Sequence, residues 1–243
     1  MELKGKRVLI TGGGTGIGRG VALALAAEGC RVAIAGRREE KLHEAASSWD
    51  GEPAILFHTA DVADRESVQT LSAWVSEKLG GVDILVNSAG VNVKRRTMAE
   101  LDPADWNKIV GVTASGAFHC MQAVLPQMRE RKDGLIINII STAGKRASLL
   151  GGVAYSAGKF AMSALGTTVG LEEAKNGIRI TNLYPGEVNT PLLDSRPVAS
   201  SDEQKARMLQ PEDVAAAVVM IAQLPPRANV AEILIKPTVQ EYA

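Results

Sequence analysis

Tyr155 and Lys159 stand four residues apart in Tyr155-Ser156-Ala157-Gly158-Lys159, at the start of a stretch with helical spacing. That separation puts both side chains on one face, one turn apart, so an ammonium can lie beside or beneath a phenol. An unperturbed tyrosine loses its proton near pH ~10, and a nearby cation favours the phenolate, which brings the group toward a range useful for proton transfer. On its own the pair reads more often as a packed tyrosine and a solvated lysine. Ser141, which follows an apolar run, could hydrogen-bond the same substrate oxygen.

A second chemical stretch runs from Arg7 to Gly18, Arg-Val-Leu-Ile-Thr-Gly-Gly-Gly-Thr-Gly-Ile-Gly. A run of branched residues breaks into glycines and continues into helical spacing at Val21, Leu23, Ala24 and Ala27, which predicts strand, tight turn and helix. Gly12, Gly16 and Gly18 would serve a turn with positive φ, close backbone approach to a ligand, and close packing of helix on strand. The helix start offers unpaired N–H groups and a positive dipole end, which suit a pyrophosphate. A glycine turn alone is a weak signal, with a plain structural turn as its alternative.

The next apolar run, Arg31 to Ala35, closes with Gly36-Arg37-Arg38. Chains that bind NAD commonly carry a carboxylate there for the ribose 2′-hydroxyl, whereas a guanidinium offers forked, charge-assisted bonds to a 2′-phosphate. The pattern therefore favours NADP(H), the alternative being two solvated charges at a helix start, where the dipole disfavours cations.

These residues need a frame. Further apolar runs occur at Ala54–Phe57, Asp83–Val86, Leu135–Ile140, Ile178–Leu183 and Glu232–Ile235, with helical spacing at Ser67–Leu79, Pro103–Arg131 and Val153–Lys175. Strands that alternate with helices, and are apolar without clean alternation, require a parallel sheet covered on both faces. The prediction is a single α/β domain over residues 1–243, a Rossmann-type doubly wound parallel sheet of about seven strands. Ligands of such sheets collect beyond the carboxyl ends of the strands, where Thr11–Gly18, Gly36–Arg38, Asp61, Asn87–Gly90, Ser141 and Pro185–Thr190 all fall. Thr190–Gln210, rich in Pro, Ser and charge, reads as a surface loop or a substrate lid.

The glycine turn, Asn87-Ser88-Ala89-Gly90, Ser141, the Tyr155/Lys159 pair and Pro185-Gly186-x-x-x-Thr190, in that order, resemble the short-chain dehydrogenase/reductase family over nearly the whole chain. The resemblance implies that Tyr155 is the general acid or base, that Lys159 lowers its pKa and binds the nicotinamide ribose, and that Ser141 orients a carbonyl. It places Thr11, Gly12, Thr15, Gly16, Ile17 and Gly18 in the pyrophosphate turn, and Asp61 and Val62 at the adenine. Asn87, Ala89 and Gly90 fall below the ribose, and Pro185, Gly186, Val188 and Thr190 at the nicotinamide. On their own, Asp61 reads equally as a helix N-terminal residue and Asn87 as a turn former. Helices corresponding to Pro103–Arg131 and Val153–Lys175 pack across subunits in related proteins, so a homodimer or homotetramer is expected.

Two departures stand out. Where the family usually has Asn, seven positions after Trp106, this chain has Thr113; that asparagine is associated with a water linking the lysine to solvent, whereas a threonine hydroxyl can bond back to its own helix. The C-terminal segment is similar to the family branch acting on 3-hydroxy acids and related small alcohols. The expected activity is reduction of a small carbonyl, or oxidation of the alcohol, with a 3-oxo or 3-hydroxy acid or a 3-oxoacyl compound as the expected substrate. The alternatives are an NADP(H) sensor or scaffold with turnover impaired at Thr113, and a dehydratase or epimerase using the same cofactor. Lys94, Arg95, Arg96, Lys145 and Arg146 follow two of the site segments and could attract an anionic substrate, or form a solvated rim.

Bulk properties agree with an enzyme-like globule. The 27 basic and 27 acidic residues cancel, so no global field points to nucleic acid or an anionic membrane. Cys30 and Cys120, the two cysteines, imply neither a disulfide framework nor a zinc site and suit a reducing compartment. With no apolar signal region before the first strand, and no run judged long and apolar enough to span a bilayer, the expected location is the cytoplasm.

Overall fold

A computed structural model describes residues 2–240. Its strands are β1 (Arg7–Thr11), β2 (Arg31–Gly36), β3 (Leu56–Thr59), β4 (Ile84–Asn87), β5 (Gly134–Ile139), β6 (Ile178–Pro185) and β7 (Glu232–Ile235). They form one parallel sheet in the order β3-β2-β1-β4-β5-β6-β7. The helices are α1 (Gly16–Ala27), α2 (Glu39–Ser47), α3 (Arg65–Leu79), α4 (Pro103–Val110), α5 (Gly116–Arg131), α6 (Val153–Glu173), α7 (Asp202–Arg207) and α8 (Pro211–Gln223). Strand order reverses between β1 and β4, and such a switch point opens a crevice between two outgoing connections.

The apolar runs are strands because both faces are covered. Val8, Ile10, Val32, Ile34, Val86 and Ile137 face α1 and α8 on one side; Leu9, Ala33, Leu85, Ile136 and Ile180 face α3, α5 and α6 on the other. Each buried Leu, Ile or Val contributes roughly 1.5–3 kcal/mol relative to exposure. β4, β5 and β6 are buried at every residue, whereas edge strands β3 and β7 are not.

Where the boundaries differ from the pattern, polar residues explain it. The third strand runs Leu56–Thr59 rather than Ala54–Phe57, because its pairing with β2 joins Ala33 to Leu56 and Gly36 to Thr59. α3 begins at Arg65, not Ser67, since the Asp64 side chain accepts the Glu66 N–H at 3.0 Å and caps it; a first helical turn without apolar residues has no periodic signal. The segment 190–210 is not simply loop: it holds a 3-10 helix, Pro191–Ser195, and α7, whose start is closed by a Ser201/Gln204 capping box.

One expectation is corrected. Pro103–Arg131 is a continuous helical stretch long and apolar enough, by length and composition, to cross a membrane. Half of its most apolar window is buried inside the protein, with Cys120, Met121, Val124 and Met128 against the sheet. Its apolarity thus serves the core.

On the α6 side, Asn87, Asn138 and Asn182 pair in register on β4, β5 and β6. Asn87 Nδ2 donates to Asn138 Oδ1 at 3.0 Å, and Asn138 Nδ2 to Asn182 Oδ1 at 3.0 Å. Asn182 Nδ2 then reaches the Ser163 carbonyl at 3.0 Å and Thr167 Oγ1 at 3.2 Å, both on α6. Replacing Asn138 with Leu keeps the branched shape but strands an amide on Asn87 and a carbonyl on Asn182, and should lower the unfolding free energy by about 3 kcal/mol, measured by urea titration.

Candidate active site

The site begins where β1 ends. Thr11 Oγ1 accepts the N–H groups of Ser88 at 3.2 Å and Ala89 at 3.3 Å, tying the first turn to the segment after β4. Gly12 follows at φ +68°, and a Cβ there would lie 2.9 Å from Ala89 N. At Gly18 a Cβ would meet the Gly12 carbonyl oxygen at 2.3 Å, so only glycines let α1 start this close to β1. Thr15 stands at the N-cap without a side-chain hydrogen bond. The first-turn N–H groups of α1 are therefore left to an outside acceptor.

They face a cleft of about 920 Å³, lined by Gly12, Thr15, Gly16, Ile17, Gly18, Arg37, Arg38, Asp61, Val62, Ala89, Gly90, Tyr155, Lys159 and Thr190. The fold thus assembles most of the residues expected from the sequence. Thr11 and Asn87 are buried and support the cleft from below; Asn87 is the last residue of β4 and part of the asparagine ladder, not a turn former. Asp61 accepts the Ala63 N–H at 3.0 Å and lies 3.9 Å from Arg37, while Asp64 is the cap of α3. Pro185, Gly186 and Val188 line a smaller adjoining cavity of about 170 Å³.

Tyr155 lines both cavities. Lys159 is 4% exposed, its Nζ donates to the Ile139 carbonyl at 2.8 Å and lies 5.7 Å from the centroid of the Tyr155 ring. Burial lowers the Lys159 amine to about 7. The Ser141 hydroxyl oxygen accepts the Ala143 N–H at 3.1 Å, which orients it, and Ser141 and Tyr155 line the same smaller cavity. Burial pushes the phenol above its ordinary value, opposed by the Ser141 hydroxyl and by the charge of Arg96. The resemblance implies that Lys159 lowers the phenol's pKa; its ammonium stands beside the ring, while burial pushes the amine itself down.

Thr113 lies in a π-helical turn, Gly111–Ser115, between α4 and α5. It is 1% exposed, and its Oγ1 has no hydrogen-bond partner among the described residues. The back-bond to its own helix does not form. Thr113 instead packs on α6: a Cβ placed on Gly158, next to Lys159, would sit 3.2 Å from Thr113 Cβ.

Of the basic residues near the site, Arg96 lines the smaller cavity with Ser141 and Tyr155. Lys145 instead pairs with Glu232 and sits 4.7 Å from the centroid of the Tyr184 ring, and neither it nor Arg146 lines either cavity. Arg196, Glu187 and Gln240 also line the smaller cavity, unforeseen because loop closure and the C-terminal segment bring them there. Gln240 is held by its Oε1, which accepts the Glu187 N–H at 2.9 Å. Lys41, which lines the larger cleft beside Arg38, was legible: it falls one helical turn beyond Arg37 and Arg38.

The chain is similar to known proteins in sequence and in fold. The sequence model of the family described as short chain dehydrogenase matches residues 6–200. An uncharacterized oxidoreductase of Staphylococcus saprophyticus is 36% identical over 98% of this chain and 99% of its own length. Among solved structures, an alcohol dehydrogenase from the archaeon Thermococcus sibiricus, complexed with 5-hydroxy-NADP, superposes with a TM-score of 0.86 at 28% identity, covering 97% of this chain and 98% of that one. A 3-ketoacyl-(acyl-carrier-protein) reductase from Brucella melitensis, complexed with NADH, gives 0.87 at 28% identity, again covering 97% and 98%. With its parallel sheet, its glycine turn and its serine, tyrosine and lysine at one edge, the chain belongs to the short-chain dehydrogenase family and is an oxidoreductase of that family.

Proposed function

We propose that the protein reduces the carbonyl of a small substrate with NADP(H), or oxidises the corresponding alcohol, with Tyr155 as general acid or base. The observation that carries this reading is the position of Tyr155: beside Ser141 in the smaller cavity, near buried Lys159, and on the boundary of both cavities. The larger cavity fits a dinucleotide, since the uncapped start of α1 suits a pyrophosphate. When bound, the nicotinamide supplies the hydride. Ser141 and Tyr155 hydrogen-bond the substrate oxygen, Tyr155 gives its phenolic proton to that oxygen as it becomes an alcohol, and Lys159 supports the phenol's charge. Placement and charge are the protein's share of the chemistry.

The preference for NADP(H) rests on this chain's own residues, since similar structures hold both cofactor types. β2 ends in Gly36 without a carboxylate, and Arg37, Arg38 and Lys41 gather at that end of the cleft. The Arg37–Asp61 pair is 3.9 Å long with both side chains over 40% exposed, a contact of little strength that a phosphate can replace. For the substrate, the small cavity with Arg96 and Arg196 on its wall, together with the 3-ketoacyl reductase likeness, supports a 3-oxo or 3-hydroxy acid or a 3-oxoacyl compound. The reading includes a homodimer or homotetramer, supported by Phe118 on α5 and Phe160 on α6, both over 40% exposed. A cytoplasmic setting is supported by two buried, unpaired cysteines.

A second reading, a dinucleotide-binding sensor or scaffold, is favoured by the unpartnered Thr113 hydroxyl. NADPH oxidation against a panel of 3-oxo acids, 3-oxoacyl thioesters, diketones and sugars separates the two: the enzyme reading expects turnover by the parent and a change below about tenfold in Thr113→Asn. Cofactor binding with turnover only in Thr113→Asn would favour the sensor. Tyr155→Phe should keep the Kd for NADPH within about twofold while kcat falls by roughly 10³. Replacing Arg37 and Arg38 together by Ala should raise the Kd for NADPH by about 10-fold to 100-fold and leave that for NADH nearly unchanged, read by cofactor fluorescence.

A further inference from the structure

Arg96 follows β4 and is 5% exposed. Its Nε donates to the Val93 carbonyl at 2.7 Å and its Nη1 to the Leu150 carbonyl at 2.7 Å. Nη2 donates to the Ser195 carbonyl and to Ser195 Oγ, the latter at 3.4 Å. The three partners belong to three separate loops: the one after β4, the one before α6, and the 3-10 helix beyond β6. The Arg96 carbonyl also accepts the Val153 N–H at 3.2 Å, in the helical turn that carries Tyr155. A Cβ at Gly152 would lie 2.6 Å from Arg96 Cβ, so the arginine is locked against the start of α6.

Every oxygen that holds the guanidinium is neutral, and among the described residues no carboxylate pairs with it. Arginine keeps its charge in proteins. Withdrawing that charge from water without an anion is costly, and cross-linking three loops needs only neutral donors. A cation retained here therefore implies an anion across the cavity. On that wall are Tyr155 and Ser141.

Other charged groups also lie around the phenol. Lys159, on α6, is pushed toward its neutral form by burial. Arg196 and Glu187, from the segment after β6, pair with each other at 3.4 Å. Asp194, on the 3-10 helix, lines the larger cleft and not the smaller cavity. Arg96 is the charge that pulls the phenol down against its burial.

We propose that Arg96 is a positioning residue that acts through Tyr155: its fixed guanidinium favours the negative oxygen formed at Tyr155, or on a substrate oxygen bonded to it, while the same side chain ties down the loops that wall the substrate cavity. The inference rests on Tyr155 as the proton-transfer group. It adds to the Ser141, Tyr155 and Lys159 set a charge that no local motif marks.

Its test does not depend on turnover. Tyrosinate absorbance is titrated against pH in the full-length chain, with and without NADP⁺, for the parent, Arg96→Met and Arg96→Lys, each with its Tyr155→Phe counterpart subtracted as background. The Tyr155 midpoint should rise by about one pH unit in Arg96→Met and stay close to the parent in Arg96→Lys, which keeps the charge. Where a substrate has been found, the pH profile of kcat for alcohol oxidation should move by the same amount. Arg96→Gln, which keeps polar contacts to the loops without the charge, gives the same reading if the methionine variant does not fold. Superimposable midpoints in the parent and the neutral variants would overturn the proposal and leave Arg96 a loop cross-link. A parent that reduces no carbonyl would overturn the reductase reading instead, while the titration would still decide the role of Arg96.

Discussion

Three asparagines in adjacent strands set the geometry on which the site depends. Asn87, Asn138 and Asn182 replace apolar side chains where β4, β5 and β6 face α6, and their side chains pass hydrogen bonds in one direction across the sheet. Amides buried this deeply are costly unless paired, so a one-residue slip in either strand pair would break the ladder and turn the amides to the other face. The ladder also fixes the helix. It ends on Ser163 and Thr167 of α6, and α6 lies so close at Gly166 that a Cβ there would stand 2.1 Å from Asn182 Oδ1. Tyr155 and Lys159 lie on the N-terminal half of that helix, so the ladder sets where they stand above the strand ends.

From that anchor, charge is distributed with few carboxylates to cancel it near the chemistry. Lys159 is buried and held by the Ile139 carbonyl, Arg96 by three loop carbonyls, and the uncapped start of α1 adds a partial positive charge. Arg37, Arg38 and Lys41 extend the same sign to the far end of the cleft. The formal charge of the whole chain is zero, so this is a local arrangement. A low-dielectric setting with preorganised positive groups favours anionic ligands and developing negative charge. The phenol, raised by burial and lowered by Ser141 and Arg96, is balanced between these effects.

The fold was legible because parallel strands covered on both faces leave an unmistakable record of apolar runs, and all seven appear in the sequence. Ends were less legible wherever polar residues carried the structure, as with His58 and Thr59 in β3 and Asp64 before α3. Site residues at strand ends and in the glycine turn were readable because local backbone demands select their types: Gly12 for its φ and its approach to Ala89, Gly18 for contact with Gly12. The pair Tyr155 and Lys159 was readable because one helical turn separates them. Apolarity was underestimated in one place: Pro103–Arg131 is long and apolar enough to cross a bilayer, a composition that a core helix shares with a membrane helix.

By itself, therefore, the sequence determined the parallel sheet, the glycine turn, the serine, tyrosine and lysine, and the arginines after β2, all of which depend on neighbours within a few residues. Tertiary structure alone decided that Arg96 lines the smaller cavity while Lys145 turns to Glu232, that Gln240 returns to the loop after β6, and that the Thr113 hydroxyl is buried without a partner among the described residues. The physical reason is contact range. Periodicity and turn chemistry are local, whereas the burial, pairing and charge of these side chains depend on loops brought together from distant parts of the chain.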